Sequence, residues 1–233
     1  MTLFITEDGS HSVHSEQFSV SYHSKYGAIQ ETQHVFIEAG LKTFLQKAPE
    51  EINILEIGFG TGLNALMTFL EMEAISQKIN YFTLEAYPLS MEHVQQLNYT
   101  QLLNAQHYQD VFLKMHTSEW TLSNGQNLDM DKMIPLSKDF NFQKLLMDFE
   151  NIAFENIADI IYFDAFAPDA QPQLWGDKMM HKMYKALRQN GILTTYCAKG
   201  IVKRTLKSVG FIVEGLPGPP GKREISRAVK NNN

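Results

Sequence analysis

The most informative stretch of the sequence is Ile52-Asn53-Ile54-Leu55-Glu56-Ile57-Gly58-Phe59-Gly60-Thr61-Gly62-Leu63-Asn64. Its first six residues form a short, mostly apolar run that ends at glycine, which is typical of a buried parallel strand. The apolar residues after the glycines recur at helical spacing and predict a helix; they are Leu63, Leu66, Met67 and Leu70. Glycines at alternate positions let a backbone approach a ligand closely, so this strand, turn and helix predict a binding loop.

The spacing of the glycines argues against a dinucleotide site. A dinucleotide-binding loop has its third glycine three residues after the second. Leu63 holds that position here, because the third glycine is Gly62. The acid before the loop, Glu56, suits a ligand with an ammonium group better than a pyrophosphate. S-adenosylmethionine is such a ligand, and its expected binding residues in this stretch are Glu56, Gly58, Gly60, Gly62 and Asn64.

Strands and helices alternate along the rest of the chain. Tyr81–Glu85 is a second strand that ends in an acid, and Ile157–Phe163 is another that ends at Asp164. Such alternation predicts a parallel sheet covered on both faces, with ligands at the carboxyl ends of its strands. Two closing strands, Phe211–Val213 and Glu224–Val229, are joined without a helix and predict a hairpin.

This order predicts an α/β fold, that of a class I S-adenosylmethionine-dependent methyltransferase, which is Rossmann-like with a mostly parallel seven-stranded sheet. We expect residues 51–233 to form this domain and residues 1–50 to form a small strand-rich extension packed on it. The alternative is a nucleotide-binding fold whose glycines only make a tight turn.

Two further acids are candidate cofactor ligands. Glu85 stands where a carboxylate can accept both ribose hydroxyls, unless it is a solvated strand end. A third strand over Leu128–Ile134 would bring the following Asp139 near adenine, although Asp139 can equally be a plain turn residue.

The segment Tyr162-Phe163-Asp164-Ala165-Phe166-Ala167-Pro168 carries the candidate chemistry. Methyl transfer to nitrogen needs a neutral amine aligned with the S–methyl bond, so a carboxylate that takes a proton helps, as does an aromatic ring that stacks on a base. Asp164 and Phe166 supply these groups and are the predicted catalytic residues, and Asp164 is also expected to contact the cofactor. The structural alternative is an Asp that closes a strand and a Phe packed beneath a loop.

The composition is that of a folded protein without membrane segments. The chain has 233 residues, 44% hydrophobic and 20% charged, which suits one large domain. No window reaches the roughly 18 apolar residues of a membrane span, and the start of the chain lacks a signal-peptide pattern, so we expect a cytoplasmic protein. Its one cysteine, Cys197, excludes an internal disulfide. His11, His14 and His23 have no spaced acidic or cysteine partners, so no metal is expected.

Charge is distributed unevenly. The net charge of −6 by itself disfavours a nucleic-acid partner. Residues 199–233, however, carry eight Lys or Arg and only two Glu. This C-terminal basic segment is either a solvated helix face with a charged tail or a phosphate-binding patch.

Taken together, the motifs resemble one family: the methyltransferase part of the bifunctional tRNA 5-methylaminomethyl-2-thiouridine biosynthesis enzymes (MnmC) and their stand-alone relatives (MnmD). The glycine loop is generic. The more specific segments are Asp164-Ala165-Phe166-Ala167-Pro168 with Pro172 and Trp175, and Gly221-Lys222-Arg223-Glu224. Matches also occur at Gln30-Glu31-Thr32 with Val35-Phe36, and at Gly200-Ile201-Val202-Lys203-Arg204. The chain departs from the commoner pattern at Ala165, where Gly is frequent, and at Cys197.

The resemblance implies methyl transfer from S-adenosylmethionine to the aminomethyl nitrogen of 5-aminomethyl-(2-thio)uridine at the tRNA wobble position, with Asp164 nearest the chemistry. It implies the tRNA anticodon stem-loop as partner and a separate enzyme as the source of the aminomethyl precursor, since a chain of this length resembles the stand-alone form. Phe166 and Trp175 are then candidate base-stacking residues, with plain core packing as an equal alternative for Trp175. The candidate contacts to anticodon-loop phosphates are Lys203, Arg204, Lys222 and Arg223.

Other functions fit parts of the pattern. An aminopropyltransferase uses the same fold and a strand-end aspartate to hold an amine, but the C-terminal basic segment would repel polyamines. A non-catalytic cofactor-binding or tRNA-binding protein would keep the fold alone, which the intact glycine loop and Asp164 disfavour. Cys197, a strand-end thiol, could attack uracil in carbon methylation, but no base adjoins it.

Overall fold

The N-terminal segment begins with a small sheet and continues as a helix. The computed structural model describes residues 1–231, so Asn232 and Asn233, the end of the predicted 51–233 domain, lie outside the described residues. The antiparallel strands of the small sheet are β1 (Thr2–Ile5), β2 (His11–Ser15) and β3 (Val20–Ser21). The helical part consists of α1 (Ala28–Thr32), a π-helical stretch (Gln33–Lys42) and α2 (Thr43–Leu45). Residues 1–50 are therefore strand-rich only in their first half.

The main sheet has nine strands among the described residues. They are β4 (Glu51–Ile57), β5 (Lys78–Glu85), β6 (Trp120–Leu122), β7 (Ile134–Ser137), β8 (Phe140–Leu146), β9 (Ala158–Phe163), β10 (Leu187–Thr195), β11 (Ile212–Pro217) and β12 (Glu224–Val229). Their order is β11-β12-β10-β9-β4-β5-β8-β6, and β7 also pairs with β8.

Most strand pairs in this sheet are parallel. The five strands from β10 to β8 pair in parallel, whereas β11 and β12 form an antiparallel hairpin whose second strand lies beside β10. The predicted mainly parallel fold and its closing hairpin are confirmed. Seven strands make up the predicted array, and β6 and β7 are additions along the outer edge of β8.

Helices cover both faces of the sheet. After α2 they are α3 (Leu63–Leu70), α4 (Met91–Val94), α5 (Tyr99–Leu102), α6 (Gln109–Thr117), α7 (Asp177–Ala186) and α8 (Gly200–Ser208). Short 3₁₀ turns are Glu71–Glu73, Gln106–Tyr108, Met130–Lys132, Phe149–Asn151 and Pro172–Trp175. No helix within residues 1–231 is long and apolar enough to cross a membrane.

Neighbouring residues of each central strand enter different core layers. Ile54 packs with the N-terminal helix, α3 and α6, whereas Leu55 packs with α7 and α8. Tyr162 and Phe163 of β9 divide in the same way. This alternation explains why the central strands are apolar on both faces.

The predicted strand over Leu128–Ile134 is wrong. The structure has a 3₁₀ turn at Met130–Lys132, and the Asp129 side chain accepts a hydrogen bond from Asp131 N at its start. Asp129 and Asp131 favour a turn because such side chains bond to nearby backbone groups. The strand beside β5 is β8, which begins immediately after Asp139.

Candidate cofactor and catalytic site

The candidate site is a concave cavity at the carboxyl ends of β4, β5, β8 and β9. Residues at or after the ends of these strands line it: 58–61, 63–64, 85–87, 148–150 and 164–166, together with Gln171, Gln173 and Leu174. Gly62, which was predicted to bind the cofactor, is not one of the lining residues. Tyr22 and His23 of the N-terminal segment also line it, and the enclosed volume is about 250 Å³. We call this site the cofactor cleft. Its position is the one at which parallel α/β sheets bind ligands.

The glycine loop turns tightly against two neighbouring strands. Gly58 has φ of +96°, and a Cβ placed on it would lie 2.8 Å from the backbone oxygen of Asp164. Its N–H donates to Leu84 O (3.0 Å), and the Gly60 N–H donates to Glu85 Oε2 (3.0 Å). Only glycine fits at position 58, because any side chain would clash with the backbone that carries Asp164. The loop therefore couples the ends of β4, β5 and β9.

Glu85 is a buried carboxylate held by backbone N–H groups. Oε1 accepts from Ala86 N (2.9 Å) and Tyr87 N (2.8 Å), and Oε2 accepts from Gly60 N (3.0 Å). Burial raises the pKa of Glu85, and these donors oppose that shift. Since each carboxylate oxygen has two acceptor sites, Oε2 can accept one further hydrogen bond in the cleft.

Glu56 lies beneath the cleft and does not line it. The residue is fully buried, accepts from Asn64 Nδ2 (3.0 Å) and Thr83 Oγ1 (2.6 Å), and has a pKa raised to about 8 mainly by burial. The expectation that it meets the ammonium group of a ligand is therefore wrong. The side chain has no exposed surface and is not among the residues that line the cavity. Asn64 lines the cleft and also donates to Asp164 Oδ2 (2.8 Å).

Asp164 is half-buried in the wall of the cleft. Burial is the main cause that raises its pKa to about 7, and repulsion from Glu31 adds to the shift. The Asn64 hydrogen bond and the positive charge of Lys222 act in the opposite direction. A carboxylate with this pKa can accept and release a proton near neutral pH.

The two aromatic candidates occupy different environments. Phe166 lines the cleft and packs against Phe18 and Tyr22, with ring centroids 5.1 Å and 5.0 Å away. Trp175 is only 4% exposed, packs edge-on against Phe163, and donates from Nε1 to Phe166 O (2.8 Å). The assignment of Trp175 as a base-stacking residue is therefore wrong. It is a core residue that holds the backbone of Phe166.

Asp139 lies at the opposite edge of the sheet from the cleft. It precedes β8, and its backbone oxygen accepts from Ile79 N near the amino end of β5. The adenine contact predicted for Asp139 is wrong because the third strand follows this residue instead of preceding it. The acid after the carboxyl end of β8 is Asp148, which lines the cleft. The strand that precedes Asp148 contains Asn141, Gln143 and Lys144, so its apolar pattern is weaker than in the runs that end at Glu85 and Asp164.

The four predicted phosphate contacts divide into paired and unpaired cations. Lys203 Nζ bonds Glu224 Oε2 (2.5 Å), and Lys222 Nζ bonds Glu31 Oε1 while lying 4.0 Å from the Tyr196 ring centroid. Arg204 and Arg223 are exposed and form no ion pair within residues 1–231. Lys222 and Arg223 line a second, shallower cavity that also includes Ala167 and Pro168, next to the Asp164–Phe166 segment.

Three side chains of this region did not emerge as site residues from sequence. Tyr22 and His23 line the cleft from the N-terminal segment, and His23 Nε2 lies 2.7 Å from Thr61 Oγ1. Burial lowers the pKa of His23 to about 4, so the ring is neutral at pH 7. Glu31 belongs to the matched Gln30-Glu31-Thr32 segment, but the sequence gave no reason to expect its ion pair with Lys222.

Cys197 is buried, and burial raises the pKa of its thiol, which disfavours a nucleophilic thiolate.

Comparison with known proteins identifies the family. Residues 114–231, half of the chain, match the model of a family described as S-adenosyl-L-methionine-dependent methyltransferases. The chain belongs to this family. Its cofactor is S-adenosylmethionine, and the methyltransferase carries the candidate catalytic Asp164 within the matched residues.

Similar sequences occur in bifunctional proteins. The methyltransferase is 31% identical over 94% of its length to the tRNA 5-methylaminomethyl-2-thiouridine biosynthesis bifunctional protein MnmC of Marinomonas sp. (strain MWYL1), of which it covers 32%. It is 28% identical over 91% of its length to the protein of the same name from Vibrio campbellii, of which it covers 33%. The methyltransferase thus spans about a third of the length of these relatives.

Solved structures share the fold. The crystal structure of MnmC2 from Aquifex aeolicus has a TM-score of 0.74 at 21% identity, covering 99% of the methyltransferase and 70% of that chain. Spermidine synthase from Thermotoga maritima has a TM-score of 0.55 at 12% identity, covering 100% of the methyltransferase and 72% of that chain. At these identities the likeness shows the fold.

The residues of the cleft fit the cofactor. The glycine loop provides close backbone approach, Glu85 keeps an acceptor site, and Asp148 offers a carboxylate after β8. These are the groups that an amino-acid moiety, a ribose hydroxyl and an exocyclic adenine amine require, respectively.

Proposed function

We propose that this methyltransferase transfers a methyl group from S-adenosylmethionine to the aminomethyl nitrogen of 5-aminomethyl-(2-thio)uridine at the wobble position of tRNA. The observation that carries the proposal is Asp164, a carboxylate with a pKa of about 7 beside Phe166 in the wall of the cleft. The similarity to tRNA 5-methylaminomethyl-2-thiouridine biosynthesis proteins supports the choice of substrate. A tRNA substrate implies a cytoplasmic location, and a separate activity would supply the aminomethyl precursor.

Three parts of the cleft would hold the cofactor. Gly58 and Gly60 bring backbone close to its amino-acid end, and Glu85 accepts from the ribose. Asp148 takes the place near adenine that sequence reasoning gave to Asp139. When bound, S-adenosylmethionine supplies an electrophilic methyl group on a positively charged sulfur, which keeps the electron pair of the broken carbon–sulfur bond.

Asp164 prepares the acceptor amine. An aminomethyl group is an ammonium ion in neutral water, and its nitrogen has no free lone pair in that form. Transfer of one N–H proton to the Asp164 carboxylate leaves the electron pair on nitrogen, and a carboxylate with a pKa near 7 is a better base than one with an ordinary pKa. The same half-buried carboxylate attracts the ammonium ion and orients it, so that the nitrogen is held in position for methyl transfer.

Phe166 and the C-terminal basic segment would bind the RNA. Phe166 is half-buried, and its neighbours Phe18 and Tyr22 give an aromatic wall against which a single unstacked base can pack. Arg204 and Arg223, which are exposed and unpaired within residues 1–231, are the better candidates for phosphate contacts.

The test is incubation of the purified protein with radiolabelled S-adenosylmethionine and tRNA from a strain that lacks it, followed by mass spectrometry of the nucleosides. The expected result is loss of 5-aminomethyl-(2-thio)uridine and gain of its N-methylated form. Tight cofactor binding without label in RNA would contradict the proposed substrate. A parallel incubation of polyamines with decarboxylated cofactor would then test the aminopropyltransferase alternative.

A further inference from the structure

The side-chain amide of Asn64 has one possible orientation. Nδ2 donates to Glu56 Oε1 (3.0 Å) and to Asp164 Oδ2 (2.8 Å), and Oδ1 accepts from Thr32 Oγ1 (2.9 Å). Both N–H groups are therefore used, and the oxygen has a donor of its own. Asn64 is 3% exposed and Thr32 is fully buried, so water does not compete for these bonds. One nitrogen atom thus bridges two carboxyl groups, from β4 and from the end of β9.

The surroundings of Glu56 are unfavourable for a negative charge. The groups that face it are Asn64 on α3, Thr83 and Tyr81 on β5, Tyr162 on β9, and Asp164. No cation among residues 1–231 forms an ion pair with it. A fully buried carboxylate without a cation, and with a second carboxylate nearby, favours its neutral form. Its pKa of about 8 agrees with this argument.

Asp164 is in a different environment. It is half-buried in the cleft wall, and its neighbours are Asn64, Glu31 on α1, Tyr196 at the end of β10, and Lys222 in the β11–β12 loop. Lys222 favours the charged form of Asp164, whereas no such cation acts on Glu56. When the pair holds a single proton, Glu56 is therefore the better site for it.

We propose that Asn64 is a positioning residue that shares its amide between the two carboxyl groups, so that their one proton stays on Glu56 and Asp164 remains an ionised base. The proposal rests on the proposed amine acceptor. Because Asn64 donates to Oε1, the proton would reside on Oε2, the oxygen that lies 2.6 Å from Thr83 Oγ1. During the reaction an N–H bond of the acceptor breaks, its electron pair stays on nitrogen, and the proton moves to Asp164. Glu56 keeps its own proton throughout.

Infrared spectroscopy of the full-length protein tests where the proton resides without any acceptor. At pH 7 the wild-type spectrum should contain a neutral carboxylic-acid carbonyl band that Glu56→Gln removes and Asp164→Asn retains. Glu56→Gln mimics the neutral acid, so its affinity for S-adenosylmethionine should stay within about threefold of wild type, as measured by calorimetry. A spectrum in which Glu56→Gln removes only an ionised carboxylate band overturns the proposal.

The pH dependence of methyl transfer tests the role of Asn64. Asn64→Asp replaces the bridging amide by a third carboxyl group of the same shape, so the pH below which kcat/KM falls should rise by about one unit or more. A merely structural role for Asn64 would lower the rate equally at every pH, which is the result that overturns the proposal. If Asn64→Asp does not fold, the infrared comparison still decides. If the infrared result is as expected but tRNA is not methylated, the acceptor is wrong and the proton assignment stands.

Discussion

The cofactor cleft and the C-terminal basic segment both concentrate charge, but they are built differently. Glu85 and Asp164 of the cleft sit at the ends of buried parallel strands, where strand pairing fixes their positions and burial raises their pKa values. In the basic segment, within the described residues, four of the eight cations are held by acids of the same molecule; these are Lys199, Lys203, Lys222 and Arg227. A strand end therefore predicts where a charged group lies, whereas a count of charges does not predict how many remain available.

Asp164→Asn should have the largest effect. The amide cannot accept a proton from the acceptor amine, so single-turnover methyl transfer at saturating tRNA should fall by roughly 10²-fold or more. Affinity for S-adenosylmethionine, measured by calorimetry, should change by less than about threefold because the glycine loop and Glu85 remain. A variant that methylates tRNA at the wild-type rate would remove Asp164 from the mechanism.

Gly58→Ala should disrupt the close contact between the glycine loop and the backbone of Asp164. Its Cβ would lie 2.8 Å from Asp164 O, at a φ of +96° that alanine disfavours. We expect a loss of about 1–3 kcal/mol of unfolding free energy in urea, together with weaker cofactor binding. Gly176→Ala is the matched control, because nothing lies within 4 Å of its added Cβ and its φ is −86°. Equal effects of the two substitutions would show that the close approach at Gly58 is unimportant.

The strand ends also show how far sequence reasoning reached. Apolar runs that end in an acid identified Glu85 and Asp164 because burial on both faces of a parallel sheet leaves a recognisable pattern. The same logic does not find Asp148, because the strand before it contains Asn141, Gln143 and Lys144; the strand assigned to Leu128–Ile134 placed the expected contact at Asp139 instead. A polar turn with a few apolar residues was mistaken for the third strand.

Contacts between distant segments could not be predicted from the sequence. Glu31 and Lys222 are 191 positions apart, and no periodicity connects them. Trp175 belongs to a specific motif, but only the structure shows that its indole donates to Phe166 O inside the core. The sequence near a motif therefore does not show which of its side chains bind a ligand and which pack in the core, because this depends on contacts with distant segments.

The Glu31–Lys222 ion pair joins the two regions, and its removal should move the pH profile of methyl transfer. The rate should rise with pH through the pKa of Asp164, near 7, because the ionised carboxylate is the base. Glu31→Gln removes a charge that raises this pKa, so the rise should move to lower pH. Lys222→Met removes a charge that lowers it, so the rise should move to higher pH; shifts of about half to one unit are expected.

Stability measurements separate this electrostatic effect from unfolding. Lys222→Met leaves the buried Glu31 carboxylate without its cation, which should cost about 3 kcal/mol in urea denaturation. The double variant Glu31→Gln/Lys222→Met should recover most of that loss and return the pH profile towards wild type. Profiles that do not move in opposite directions in the two single variants would contradict the coupling of Glu31 and Lys222 to Asp164.

The smallest effects are expected for single cations of the basic segment. Arg204→Gln and Arg223→Gln should each reduce the salt dependence of tRNA binding by about one unit of log–log slope, since each removes one free phosphate contact. Lys203→Gln should leave the slope unchanged because Nζ is already held by Glu224. Lys138→Gln, at the opposite edge of the sheet and 90% exposed, is the control for a general change of charge. If Lys203→Gln reduces the salt dependence as much as Arg204→Gln does, the Lys203–Glu224 pair opens when RNA binds. Cations in internal ion pairs are then also available as phosphate contacts.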